Sequence, residues 1–75
     1  MTATYLDTKG LRCPIPVLRA RKAMKPLAAG DLLEIDATDP GSVQDFHNFC
    51  ETTGHELVAH GEADGVYSFQ IRKVA

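Results

Sequence analysis

Seventy-five residues, 44% of them apolar and 24% charged, suffice for one domain, residues 1–75, with a core near the lower limit of independent stability. Two cysteines are too few for the disulfide framework of a small secreted protein, and no stretch approaches the ~18 consecutive apolar residues of a membrane span. The net charge of −2 hides a division: residues 1–25 hold six of the eight Lys and Arg against one acid, Asp7, and the other fifty hold two basic and nine acidic side chains. The basic part should attract acidic protein surfaces or phosphates. A low total charge and the lack of aromatics among the basic residues argue against a nucleic-acid binder.

The start, Met1-Thr2-Ala3-Thr4-Tyr5-Leu6-Asp7, has neither a basic head nor a long apolar run. No secretory signal is expected there, and a reducing cytoplasm is the natural setting. Residues 4–8 lean toward β structure through Tyr5 and its flanking threonines, giving a first strand with Leu6 turned to the core. Gly10 permits the turn that follows.

Cys13-Pro14-Ile15-Pro16 comes next. Both prolines are tolerated in the first turn of a helix, where N–H groups lack intrahelical partners anyway, and each pushes its predecessor out of the α region. Cys13 is therefore expected at or near the N-cap, extended, on a stiff exposed corner. A sulfur there would face orphan N–H donors and the positive end of the helix dipole, both of which favour the thiolate. Lys9 and Arg12 before it, and Arg19, Arg21, Lys22 and Lys25 after it, add positive charge. The competing role for Cys13, a small apolar filler, fits less well because helix starts prefer Ser, Thr, Asp or Asn.

From Val17 the apolar positions Val17, Leu18, Ala20, Ala23, Met24 and Leu27 recur at three- and four-residue steps, an amphipathic helix ending near Pro26. Leu32 to Thr38 alternates Leu33, Ile35 and Ala37 against Glu34 and Asp36, a half-buried strand. Asp39-Pro40 supplies an N-cap and a first-turn proline for a second helix with Val43, Phe46, Phe49 and Cys50 facing inward and Gly54 closing it. His55 to His60 reads as a third strand, Gly61 to Gly65 as a loop of about five residues, and Val66 to Val74 as a fourth strand alternating Tyr67, Phe69 and Ile71 against Ser68, Gln70 and Arg72.

The order βαβαββ, with one right-handed crossover and one buried sheet face, puts both helices on one side: an α/β two-layer sandwich of the α+β kind. Both helices then start along the same sheet edge, which makes Cys13 and Asp39 neighbours at the edge where open α/β sheets bind ligands. No pocket is expected in so small a chain. Cys50 falls on the apolar face of the second helix and reads as core; were it to meet Cys13, the pair would form a thiol switch. His47 and Cys50 are three apart, with His55 and His60 beyond, but no close ligand pair of the zinc type is present, so neither metal nor cofactor is expected.

The stretch Leu6-Asp7 … Gly10-Leu11-Arg12-Cys13-Pro14-Ile15-Pro16-Val17-Leu18 resembles the signature of the TusA/SirA family of small sulfur-carrier proteins. The likeness continues through Ala37-Thr38-Asp39-Pro40-Gly41-Ser42-Val43, Asp45-Phe46 and Thr53-Gly54-His55-Glu56-Leu57, nearly the whole chain. It implies a four-stranded mixed sheet and a sulfurtransferase acting stoichiometrically in a relay, with the cysteine of Cys-Pro-x-Pro, here Cys13, carrying sulfur as a persulfide. Gly10, Pro14 and Pro16 would shape the corner, while Lys9 and Arg12 would aid charge or docking. The implied partners are a donor such as a cysteine desulfurase or rhodanese-like protein, and an acceptor of the DsrE/TusD-like kind. The cargo would serve tRNA thiolation or an oxidative sulfur relay. No direct nucleic-acid contact and no membrane are expected, and a monomer suits a carrier that docks with several proteins. The alternative is a non-catalytic regulatory or partner-binding module with a redox-sensitive thiol.

Overall fold

The structure, a computed structural model, describes residues 3–74; Met1, Thr2 and Ala75, part of the single domain expected over 1–75, lie outside the described residues. Six elements follow the expected order: β1 (Ala3–Thr8), α1 (Ile15–Met24), β2 (Leu32–Ala37), α2 (Gly41–Thr53), β3 (Glu56–Ala63) and β4 (Val66–Arg72). They form one mixed sheet in the order β1-β2-β4-β3, with β1 parallel to β2 and the other pairings antiparallel. The parallel pair requires a crossover, and α1 supplies it.

Period-two alternation decides which side of this sheet is covered. Leu33, Ile35, Ala37, Phe69 and Ile71 are buried on one face against Pro16, Ala20 and Met24 of α1 and Phe46, Phe49 and Cys50 of α2. Phe46 lies at the centre, its ring 4.6 Å from Phe69 and edge-on to Phe49 at 6.5 Å. The opposite face is polar: Asp36 accepts hydrogen bonds from Tyr5 and Ser68, each at 2.8 Å, and Gln70 donates to Glu34. Both helices therefore share one side, as the topology requires.

Two local expectations are corrected. Leu18 is 52% exposed rather than part of the core. The buried stripe of α1 runs Pro16, Ala20, Met24 in steps of four, and Leu18 sits two residues from the first pair, about 200° round the helix. Second, the hairpin loop is two residues long: β3 continues through Gly61-Glu62-Ala63, and Asp64 (φ 52°) and Gly65 (φ 81°) alone make the turn. Positive φ at both central positions matches the strand twist, and Asp-Gly supplies it at low cost. The third strand is also longer than expected, with a bulge between Leu57 and Ala59.

α1 stops at Met24 with Lys25 as its C-cap, near Pro26 as expected, and its closing carbonyls go to a residue from the far end of the chain. Lys73 Nζ donates to Met24 O at 2.8 Å, to Leu27 O at 2.6 Å and to Lys25 O at 3.3 Å. A cation at a helix C-terminus both satisfies orphan carbonyls and opposes the dipole. α2 ends as expected, with Gly54 left-handed at φ 83° and its N–H donated to Cys50 O.

Candidate functional site

The loop from β1 to α1 is tied to the end of β2 before it reaches the cysteine. Thr8, fully buried, donates its hydroxyl to Asp36 O at 2.6 Å. Gly10 takes φ 82°, the left-handed region that only glycine enters freely, and its N–H donates to Thr38 Oγ1 at 2.9 Å. Cys13 then donates its N–H to Asp39 Oδ2 at 2.7 Å, and the other oxygen of that carboxylate accepts the Gly41 N–H at 2.8 Å. Asp39 thus bridges the loop before α1 and the first residue of α2, and the predicted neighbourhood of Cys13 and Asp39 holds. The two amides, with the charge of Arg12, keep the Asp39 carboxyl below the usual carboxylate range.

Cys13 is exposed and near the N-cap, as expected, but its chemistry differs from the expectation in charge. Regular helix begins at Ile15 and Pro14 is the N-cap, so Cys13 lies one residue before the cap; the Cys13–Pro14 peptide is cis. The sulfur instead lies over the start of α2, where a Cβ on Gly41 would stand 3.7 Å from Sγ. Its thiol donates to Asp45 Oδ2, four residues into the same helix. The Asp45 hydrogen bond, then desolvation, then the charges of Asp45 and Asp39 push the thiol above its ordinary pKa, the opposite direction to the expected shift toward the thiolate.

The prolines themselves explain the failure of the dipole argument. Pro14 and Pro16 have no N–H, and the Ile15 N–H between them donates to Arg12 O at 2.8 Å. At the start of α2 the Gly41 and Ser42 amides are both taken by Asp39, through its carboxylate and its carbonyl. None of these five positions offers a free amide to a thiolate.

The remaining candidates divide. Pro16 is buried under the corner and Pro14 is exposed beside it. Arg12 is exposed on the cysteine's own loop. Lys9 is not at the thiol: its Nζ donates to Tyr5 OH at 3.1 Å and lies 3.3 Å from Asp7 and 3.9 Å from Asp36, on the polar face of the sheet away from the helices. Cys50 is buried and its thiol is pushed up by desolvation; both cysteines are free. Arg21 places its guanidinium 5.4 Å from the centre of the Phe49 ring and, with Pro14 and Asp45, lines an open recess of about 210 Å³. A larger groove of about 580 Å³, open on the surface rather than carved into the interior, is lined by Leu6, Ile15, Leu18 and Ala23 between Arg19 and Lys22.

Asp45 is the site residue that sequence reasoning missed. As an acid on a helix it looks like any solvated side chain, and only the packing of α2 against the loop before α1 brings it to the sulfur.

Residues 4–73 match the family model described as Sulfurtransferase TusA. The chain belongs to the TusA family. It is 47% identical over 68 residues to the sulfur carrier protein TusA of Allochromatium vinosum, covering 91% of this chain and 90% of that relative. With a putative sulfur carrier protein of Neisseria meningitidis serogroup A it shares 44% identity over 72 residues, 96% of this chain and 97% of the relative. The crystal structure of a SirA-like protein from Desulfitobacterium hafniense superposes with a TM-score of 0.81 at 31% identity, covering both chains in full. The TusA assignment and this likeness agree with the βαβαββ sandwich and its mixed sheet.

Proposed function

We propose that Cys13 accepts a sulfane sulfur from a donor protein, holds it as a persulfide and hands it to an acceptor protein. The observation that carries this reading is the exposed sulfur at the junction of the two helix starts, in a chain of the TusA family. Its mount supports the role: the Cys13 N–H is anchored to Asp39 and Pro16 is packed beneath, so the sulfur is offered from a fixed backbone. In the transfer the Cys13 sulfur, having lost its proton, attacks the outer sulfur of the donor persulfide, and the donor thiolate leaves.

Donor and acceptor would dock over the groove beside α1, where Leu18 and Ile15 are exposed between Arg19 and Lys22. An apolar patch rimmed by cations suits an acidic partner surface. A cysteine desulfurase or rhodanese-like donor and a DsrE/TusD-like acceptor fit that chemistry, in tRNA thiolation or oxidative sulfur trafficking. No helix among the described residues is long and apolar enough to cross a membrane; a monomer in the cytoplasm is the setting we infer. Arg12 serves docking in this reading, and Lys9 has no part in the chemistry.

The test is intact mass after incubation with a desulfurase and cysteine, or with a rhodanese and thiosulfate. Wild type should gain one sulfur atom and Cys13→Ser none. Protein that stays unmodified yet binds its partners would instead support a regulatory module that merely retains the thiol.

A further inference from the structure

Sulfur carriage by Cys13 does not by itself call for a carboxylate against the sulfur, yet Asp45 is held there. It is half-buried on α2, one turn beyond Gly41, and its Oδ2 accepts the Cys13 thiol. The charged groups around the sulfur are Asp45 from α2, Asp39 from the segment between β2 and α2, and Arg12 on the cysteine's own loop; Arg21 of α1 lines the recess that Asp45 and Pro14 share. Arg12 acts on Asp39, and the Arg21 guanidinium lies over Phe49. The close amides are absent at the prolines or occupied at Ile15, Gly41 and Ser42. Two carboxylates thus face a sulfur with no free amide aimed at it among these first-turn groups.

We propose that Asp45 is a positioning residue for Cys13, holding the empty sulfur as a hydrogen-bond donor and repelling the anion of the loaded one, so that cargo is passed on rather than stored. The proposal rests on the reading of Cys13 as the sulfur-bearing residue. On loading by a donor R–S–S⁻, the Cys13 S–H bond breaks and Sγ bonds to the outer sulfur. The donor S–S bond breaks with its electron pair left on R–S⁻, which takes the released proton. The products are Cys13–S–S⁻ and R–SH, with no net oxidation or reduction. The new anion stands near the Asp45 carboxylate, and like charges at short range disfavour that state. Transfer to an acceptor thiol, A–SH, returns the proton to Cys13, yields A–S–S⁻ and restores the hydrogen bond to Asp45.

The test uses the full chain with Asp45→Asn and Asp45→Glu. Alkylation of Cys13 by iodoacetamide is followed against pH by intact mass and peptide mapping, and the loaded proteins are then exposed to glutathione. Asn should move the alkylation midpoint to lower pH and speed the reaction several-fold at pH 7, and Glu should restore the alkaline profile. Loaded Asp45→Asn should lose its sulfur to glutathione several-fold more slowly than wild type. A midpoint that stays put or rises in Asp45→Asn overturns the proposal, as does loss of sulfur at the wild-type rate. A merely structural role would leave the Glu variant no better than Asn. If circular dichroism shows Asp45→Asn unfolded, Asp45→Ser carries the same readings. The alkylation profile needs no sulfur donor, so wild type that fails to load would defeat the carrier reading while the profile still decides the role of Asp45.

Discussion

Replacing Gly41 by Ala adds one methyl group where α2 meets the cysteine, and the surroundings determine what it does. The new carbon would stand 3.3 Å from Asp39 Oδ1, 3.5 Å from Cys13 Cβ and 3.7 Å from Sγ. The two cysteine contacts are ordinary in length. The contact with Asp39 is tight, so the carboxylate that joins the Cys13 and Gly41 amides must give by a few tenths of an ångström. Gly41 opens α2 with φ outside the left-handed region, so alanine is conformationally allowed. Alanine is favoured over glycine by about 1 kcal/mol in a helix interior, and only part of that gain is realised at the first residue. Set against the displaced carboxylate, the net change should stay within about 0.5 kcal/mol, a Tm shift of roughly 2–4 °C at most for a domain of this size.

Function should respond more strongly. The methyl occupies space in contact with the sulfur and disturbs the anchor of its backbone, and a misplacement of about 1 Å in a reacting group costs up to ~100-fold. A shift of a few tenths scales to roughly a tenfold slower uptake of sulfur. Calorimetry gives the Tm, and the time course of intact mass with rhodanese and thiosulfate gives the rate. Loading indistinguishable from wild type at unchanged Tm would refute the argument that the space over Gly41 serves the sulfur. A fall in Tm beyond about 4 °C would refute the claim that the substitution spares the fold.

Three other substitutions probe separate parts of the structure. Phe46→Ala empties the centre of the core, where Phe46 is fully buried against Phe69 and Phe49; the loss of about 3–5 kcal/mol is a large share of the roughly 4–11 kcal/mol available to a domain of this length. Urea unfolding should show the midpoint cut to well under its wild-type value. Lys73→Met leaves the carbonyls of Met24, Lys25 and Leu27 without their shared donor, and urea denaturation should report about 1–2 kcal/mol lost. His55 accepts the Val74 N–H through Nδ1, and burial followed by the charge of Lys73 lowers its pKa. The folded state therefore disfavours the imidazolium, and this contribution is intact above the unfolded value of about 6.5 and lost as pH falls through the lower native value. Urea midpoints measured from pH 8 downward should decline over that window in wild type, and less steeply in His55→Asn.

Much of the fold was legible because burial and periodicity coincide. Leu33, Ile35 and Ala37 alternate with acids in a strand whose inner face is closed and whose outer face is wet, and Gly54 marks the end of α2 by the left-handed conformation that only glycine enters freely. The hairpin was read too short because Gly61, Glu62 and Ala63 have little intrinsic preference for a strand. Pairing with Val66 to Ser68 overrides that preference, as tertiary context commonly does in sheets. Lys9 misled for a related reason: nearness along the chain set it beside Cys13, but it follows Tyr5 and Asp7 to the far face of the sheet. Asp45 entered only as part of the family likeness at Asp45-Phe46, since its contact with the sulfur arises between residues 32 apart.

The charge state of Cys13 is decided by contacts that its local residue pattern does not contain. The two prolines mark a helix start, yet a proline at such a position removes the donor it replaces. What remains near Cys13 is a carboxylate at Asp39 that consumes amides and a carboxylate at Asp45 that accepts the thiol. The motif therefore builds rigidity and exposure but not acidity. On the carrier reading, the ionised sulfur arises when a partner docked on the groove covers the corner and sets a single cationic group against Asp45 and Asp39, neutralising them. On that reading docking and activation are one event, and a thiol whose pKa stands above the ordinary value in the free protein suits that coupling.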